Sequence, residues 1–552
     1  MRRRSLVAAL VAVASAILCG ALTPVPASAE DGPAAIKAAG PNAGAPDAAD
    51  QQPATPTEAA PDDAQPAASP TAVTPVQTTP QPVAATPVVA AIRATLADPA
   101  FRKGASADDI GVLQAFYDEQ SDPLWMTDMG FSGEALAVID EVLKADDWGL
   151  SSAAFTLPPA GDLPASVDAA AASEIKLDLA ILKYARYARG GRADPAKLSK
   201  LIGETPSLRD PKTVLSEIAA AEAPDAYLRS LHPKHEQFQR LHQALLKARA
   251  ESGAGANATN AQRIIVNMER WRWMPEDLGS LYVWLNIPAF TVHVVKEGKP
   301  IYSDKIVVGE MKYATPVFSA DLKSVVFNPE WTVPPTIVRE NLLPSLRGGG
   351  GWFGGGNTAI LDQHELKVNY NGKRVDPSSI DWNHVNMGAI SFVQAPGPNN
   401  VLGKVKFVYP NPYSVYMHDT IKEGLFDKDS RAEGHNCPRV FKPGKIAAVI
   451  LAADQNMPQA QVDKLLADGY NSAINVQHHI PVHTAYFTAV VNDDGKVETF
   501  ADIYKLDGVI AAAILGKDAK ADAVADNAQA KAKPQADAPA GGAAGGFAYS
   551  TP

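Results

Sequence analysis

The sequence is poor in sulfur. Two of its 552 residues are cysteines, Cys19 and Cys437. Cys19 sits in the apolar run Leu6 to Leu22, behind the basic residues Arg2, Arg3 and Arg4 and ahead of a small-residue "ASA" at 27–29. That layout is a secretory signal peptide cleaved after Ala29. Leu18, rather than a small residue, precedes Cys19, which argues against a lipoprotein anchor. The mature chain then keeps one thiol, Cys437. A lone cysteine cannot staple a fold, and it excludes zinc sites built on several cysteines. In an oxidising compartment it must be buried or used. Dense Lys/Arg runs are also missing beyond the first residues, and the net charge is -11, so nucleic acid is excluded as a partner. No segment after the leader is long and apolar enough to cross a membrane.

Aromatic residues are nearly absent from 30–92, a run of Ala, Pro, Thr, Gln and Asp. Such a stretch buries too little apolar surface to offset its ordering entropy, so it is expected to be a disordered linker. The end, 515–552, is likewise expected to be a disordered tail. About 420 residues of ordinary composition lie between, enough for two or three domains. Over 93–252 apolar residues recur with a helical period: Ile110, Leu113 and Phe116 in one segment, Leu136, Ile139 and Leu143 in another. His232, His235 and His242 are too scattered there to argue for a metal. A Gly/Asn-rich joint, "AESGAGANATNAQ", follows at 250–262. Beyond it the period becomes two, with "KEGK" and "NDDGK" as hairpin turns. Residues 330–400 break this pattern. They are rich in Gly, Pro and Asn, and their Trp331, Trp352 and Trp382 suggest an ordered, lid-like excursion.

The chemistry points to "SVYMHDTIKEGLFDKDSRAEGHNCPRV", residues 414–440. A thiol needs a base or a positive field to present thiolate at neutral pH. His435 is two residues from Cys437, but in an extended chain i and i+2 lie about 7 Å apart. His418 ends an alternating strand, and the loop between is long enough to bring the thiol back to it. His418 is therefore preferred as the base, with His435 in the pocket wall. Asp419 either orients His418 or caps the turn. His478, His479 and His483 in "VQHHIPVH" meet no metal spacing rule. Neither a metal nor another cofactor is called for.

"YMHDT…LFDKDSRAEGHNCPRV" resembles the active-site signature of the YkuD-type L,D-transpeptidases, in particular their YcbB-like branch. "NMERWRWMP", "NPEWTVPPTIVRENLLP" and "QAPGPNNVLGKVKFVYPNPYSVYMHDT" are similar to that branch as well, and the resemblance covers about 262–505. The helical part resembles the branch's scaffold domain. The resemblance implies a multidomain α+β protein: a helical scaffold domain (93–252), then a β-rich catalytic domain (262–514) with a capping insert at about 330–400. It implies that Cys437 attacks the peptide bond before the terminal D-Ala of a peptidoglycan tetrapeptide stem, that His418 moves the protons, and that Arg439 faces a substrate carboxylate. His435, Asn436 and Asp419 are the further candidates around the substrate. The partners implied are peptidoglycan stems and, as acceptors, a second stem or an envelope protein's amine. The location implied is the periplasm.

The sequence departs from the family pattern beside the nucleophile. Ser-(His or Ser)-Gly-Cys becomes Gly434-His435-Asn436-Cys437. If the family glycine occupies a left-handed turn, Asn436 is the residue best able to replace it, and its amide is a candidate oxyanion donor. Pro438 removes the N–H after the nucleophile, so an oxyanion hole using that amide could not form, whereas one using the amides of Asn436 and Cys437 could. These departures keep two alternatives open: a non-catalytic wall-binding protein, and an L,D-carboxypeptidase or D-amino-acid exchange enzyme. The branch often carries a small peptidoglycan-binding helical module between scaffold and catalytic domains. Only about ten residues occupy that place here, so the module is expected to be absent.

Overall fold

The computed structural model describes residues 85–516, except 104–105, 160, 162–163, 252–255 and 349–357. The expected signal peptide with Cys19, most of the linker, nearly all of the tail and Trp352 lie outside the described residues. Helix begins at Pro87, ahead of the expected linker end at 92.

The first half is helical: α1 (Pro87–Ala97), α2 (Ala107–Glu119), α3 (Gly133–Leu143), α4 (Val167–Gly190), α5 (Pro211–Ala220), α6 (Pro224–Ser230), α7 (Glu236–Ala250) and α8 (Ala256–Trp273). Serine hydroxyls start α2, α3 and α4: Ser106, Ser132 and Ser166 each accept the N–H three residues on, satisfying one of the helix's orphan donors. α3 buries Ala135, Val138, Ile139 and Val142. Leu136 and Leu143 are exposed, so the apolar face is rotated from the expected one, sharing only Ile139 with it. The smaller set lets α3 pack closely on α6. α8 starts at Ala256, so the expected joint at 250–262 is mostly the first turns of a helix. α7 ends at Ala250 and α8 begins at Ala256.

The second half is built on a mixed sheet. Its strands are β1 (Leu281–Asn286), β2 (Thr291–Lys296), β3 (Lys299–Gly309), β4 (Phe318–Asp321) and β5 (Ser324–Phe327), then, after an insert holding β6 to β9, β10 (Val405–Val408), β11 (Met417–His418), β12 (Ala432–Gly434), β13 (Arg439–Val440), β14 (Ser472–Asn475) and β15 (Pro481–Ala485). The sheet order is β14-β5-β10-β11-β13-β3-β2-β1-β15-β4, with β12 paired to the end of β3. Glu297 and Gly298 both take positive φ (48° and 70°) in the β2–β3 turn, the conformation that matches the strands' twist. Helices α9 (Pro443–Gln455) and α11 (Leu506–Leu515) bury apolar residues in the same core as the sheet; α10 (Gln459–Asp468) packs on α9. A second core joins the halves: Phe238, Leu241 and Leu245 of α7 and Met268 and Trp271 of α8 meet Tyr282 and Trp284 of β1 and Phe487.

The excursion at 330–400 is not irregular. Strands β6 (Trp331–Thr332), β7 (Leu366–Tyr370), β8 (Lys373–Arg374) and β9 (Ile390–Gln394) form a small sheet in the order β8-β7-β9-β6. It has its own core of Val333, Leu342, Leu346, Leu361, Leu366, Val368, Trp382 and Phe392. Asn400 pins its exit to its entrance, donating through Nδ2 to Pro329 O (3.0 Å) and Ala395 O (2.9 Å).

Candidate active site

Three adjacent strands place three basic side chains in one row. Lys406 on β10 is the register partner of His418 on β11, and His418 is the partner of Arg439 on β13. Side chains in register across a sheet share a face. Tyr416, two residues before His418, joins them: Lys406 Nζ lies 4.1 Å from its ring centroid. The bend 436–437 leads into β13 and brings the half-buried Cys437 to this face, where the Tyr416 backbone N–H reaches its sulfur.

His418 is buried. Its Nδ1–H donates to its neighbour's main-chain carbonyl, Asp419 O, at 2.5 Å. A carbonyl can only accept, so this bond fixes the tautomer and leaves Nε2 with a lone pair. Burial, then the charges of Arg439 and Lys406, lower the imidazole's pKa to about 3. Burial also raises the Cys437 thiol, against the Tyr416 N–H, Lys406 and Arg439, which lower it. Burial thus favours the uncharged form of both groups. A neutral imidazole with a free Nε2 lone pair has the chemistry of a general base rather than of an ion-pair partner.

Arg439 has no carboxylate partner among the described residues, although burial lowers its pKa and the Cys437 charge acts on it. An unpaired, partly buried guanidinium is a receptor for a carboxylate, which it can grip through two parallel N–H bonds.

Asp419 does not orient the imidazole through its carboxylate. Oδ2 accepts Lys404 N–H at 2.8 Å and Oδ1 accepts Thr420 N–H at 2.7 Å, so the carboxylate caps the turn. Gly403 (φ +60°) lies against it; a Cβ there would stand 2.4 Å from the carboxyl group. Asn436 is not in a left-handed conformation, nor is Gly434. Its Nδ2 donates to Ala314 O at 3.0 Å, and its main-chain oxygen accepts Thr315 Oγ1 at 2.8 Å. The side chain anchors the 311–315 loop rather than standing as an oxyanion donor. The main-chain N–H groups of Asn436 and Cys437 have no protein acceptor among the described residues. Gly434 packs against β3, where a Cβ would come within 3.0 Å of Val308 O, so the family's serine would be tight here.

His435 is exposed and stacks on Tyr313, with centroids 4.1 Å apart and planes 18° from parallel. Its pKa is lowered by burial and Arg439, against Glu310 and, from the insert, Glu340. Trp331 of β6 contacts the Tyr416 phenol, so the base of the insert borders the same site. Lys406 and Tyr416 were not singled out from the sequence. The signal was present: "VKFVYP" and "SVYMHDT" are the two strands on either side of one turn, and their register sets lysine opposite histidine.

The histidines outside this site have other partners. His232 and His242 stack on Trp148, at centroid distances of 4.2 and 3.8 Å. His478 and His479 pair with Asp454 (2.9 Å) and Asp321 (2.8 Å), and His483 Nε2 donates to Leu278 O (3.0 Å). No cluster of His, Cys, Asp and Glu among the described residues is arranged to hold a metal ion.

Comparison with known families matches residues 111–245 to a scaffold domain and residues 280–454 to an L,D-transpeptidase catalytic domain of the YkuD type. The chain thus carries a helical scaffold domain followed by a β-rich L,D-transpeptidase catalytic domain. A curated relative from Haemophilus influenzae, named "Putative L,D-transpeptidase", is 29% identical over 257 residues, which is 47% of this chain and 50% of that protein. The chain spans about half the length of this relative.

Proposed function

We propose that the protein is a peptidoglycan L,D-transpeptidase of the cell envelope, exported to the periplasm, with Cys437 as nucleophile and His418 as acid–base. The observation that carries this is the row Lys406–His418–Arg439 beside the thiol: a general base with a free lone pair and an unpaired guanidinium on one face of the sheet.

His418 Nε2 takes the thiol proton as the sulfur attacks the carbonyl of the third stem residue. The S–C bond forms, and the tetrahedral oxyanion meets the free amides of Asn436 and Cys437. The C–N bond to D-Ala then breaks, and His418 returns the proton to the leaving amine. A thioester remains. In the second half an acceptor amine attacks it, gives its proton to His418 and releases the thiol, making a 3-3 cross-link or attaching a protein to the wall. Arg439 holds a stem carboxylate throughout. The insert beside Trp331 and Glu340 narrows access of water to the thioester, which favours amines.

Acylation by a carbapenem tests the nucleophile. Intact mass is expected to show one adduct per chain in the mature protein and none in Cys437→Ala. No adduct on the wild type would leave a stem-binding role without catalysis.

A further inference from the structure

The site holds two cations, and the transfer reaction assigns a substrate partner to only one of them. Lys406 is half-buried, yet its amine has no carboxylate or hydrogen-bond partner among the described residues. Its placement is determined by the sheet: register partner of His418, with the amine resting 4.1 Å from the centre of the Tyr416 ring. Tyr416 in turn supplies the main-chain N–H that reaches the sulfur. A lysine stem laid across this ring presents its charge to the bend that carries Cys437.

We propose that Lys406 is the cation that stabilises the Cys437 thiolate, leaving the Arg439 guanidinium free for the substrate carboxylate. Lys406 is a positioning residue, acting through the charge state of the sulfur.

The placement stands on the strand register and the Tyr416 ring contact, and the electrostatics of the site agree with it. Of the charged groups acting on the sulfur, Lys406 acts more strongly than Arg439. The sulfur is in turn the charged group that acts on the Lys406 amine. Arg439 is the stronger of the two at His418. The other ionisable groups of the site are the phenols of Tyr409 and Tyr416, raised mainly by burial, and His418, whose pKa is lowered to about 3; all three are neutral at physiological pH. Once a stem carboxylate neutralises Arg439, Lys406 is the positive charge that remains beside the thiolate. A half-buried ammonium held over a ring acts through a lower effective dielectric than bulk water, so its charge shifts a neighbour's titration. The inference deepens the transpeptidase proposal and rests on its choice of nucleophile.

The test is the pH profile of Cys437 alkylation by iodoacetamide, followed by intact mass on the mature chain without any stem peptide. Lys406→Met is expected to move the midpoint up by about one pH unit, which slows alkylation about tenfold well below the midpoint. Lys406→Arg is expected to restore it. A change confined to the plateau rate, with the midpoint unmoved, reflects access to the thiol and overturns the proposal. So does Arg439→Met moving the midpoint further than Lys406→Met. Lys406→Gln is a second neutral variant, and thermal melting selects whichever of the two folds. Because no stem is used, a midpoint shift in a protein that fails to release D-Ala refutes the transpeptidase reading and leaves Lys406 in place.

Discussion

His418 and Arg439 face each other across two parallel strands, and the His418 main-chain N–H donates to Pro438 O at 3.1 Å. The pairing ties His418 to the residue after Cys437. Proline has lost its N–H, but its carbonyl helps set the position of His418.

The proposed mechanism needs His418 for chemistry but not for the resting state of the thiol. His418→Ala is expected to slow D-Ala release by about 10²–10⁴-fold, the range for losing a positioned general base. The alkylation midpoint of Cys437 should stay near the wild-type value, because neutral imidazole adds no charge at the sulfur. With the imidazole pKa lowered to about 3, activity should show no acid limb near the ordinary histidine value. A kcat/KM profile checks this. The same shift acts on stability: the unfolded histidine takes a proton more readily than the folded one. Stability is then lost as pH falls from about 6.5 towards about 3.

Asp419 belongs to the framework. Removing its carboxyl in Asp419→Ala leaves the Lys404 and Thr420 amides without an acceptor, at a cost of about 1–3 kcal/mol. Thermal melting should fall while D-Ala release per folded molecule changes little. Loss of activity without loss of stability would assign the carboxylate a direct role.

Asn436→Gly, which restores the family residue, is expected to destabilise rather than relax the site. The backbone there has no positive φ for glycine to relieve. The bond to Ala314 O is lost, worth about 1 kcal/mol. A higher melting temperature would contradict this.

The structure reveals a proton-dependent link between scaffold and catalytic domains. His483 Nε2–H donates to Leu278 O, so Nδ1 of the neutral ring accepts from Ser319 Oγ at 2.8 Å. Ser319 Oγ also donates to Glu204 Oε1 at 2.8 Å, so its hydroxyl is shared between the scaffold carboxyl and the His483 ring. Burial raises the Glu204 pKa to about 7, against the Ser319 hydrogen bond, which lowers it. A carboxyl raised on folding binds its proton more tightly in the native state. Stability is fully present below about 4.5 and declines as pH rises to about 7. Glu204→Gln keeps an acceptor for Ser319 and removes the titration, so it should be more stable than wild type at pH 8 by roughly 3 kcal/mol. Melting at pH 5 and pH 8 measures it; an equal pH dependence in both proteins would exclude the link.

The division into helices and a β domain was legible because the apolar period changes from helical to alternating, and "KEGK" forms its turn because Glu297 and Gly298 take the required positive φ. The face of α3 was misplaced because two leucines stood beside a run of smaller residues, and close packing on α6 selected the smaller set. The insert was opaque: β9 pairs with β6 some sixty residues earlier, and short strands joined over such distances leave no local period. Cys437, His418 and Arg439 could be named from their motif. The Asn436 conformation could not, because it depends on the Ala314 carbonyl, which is distant in sequence.

The most direct test is a single-turnover incubation of the mature protein with a disaccharide-tetrapeptide stem, followed by intact mass. The expected result is a thioester adduct on Cys437, one equivalent of free D-Ala, and neither product with Cys437→Ala. Binding of the stem with no D-Ala released and no adduct at any pH would contradict the assignment of Cys437 as an acyl-transfer nucleophile.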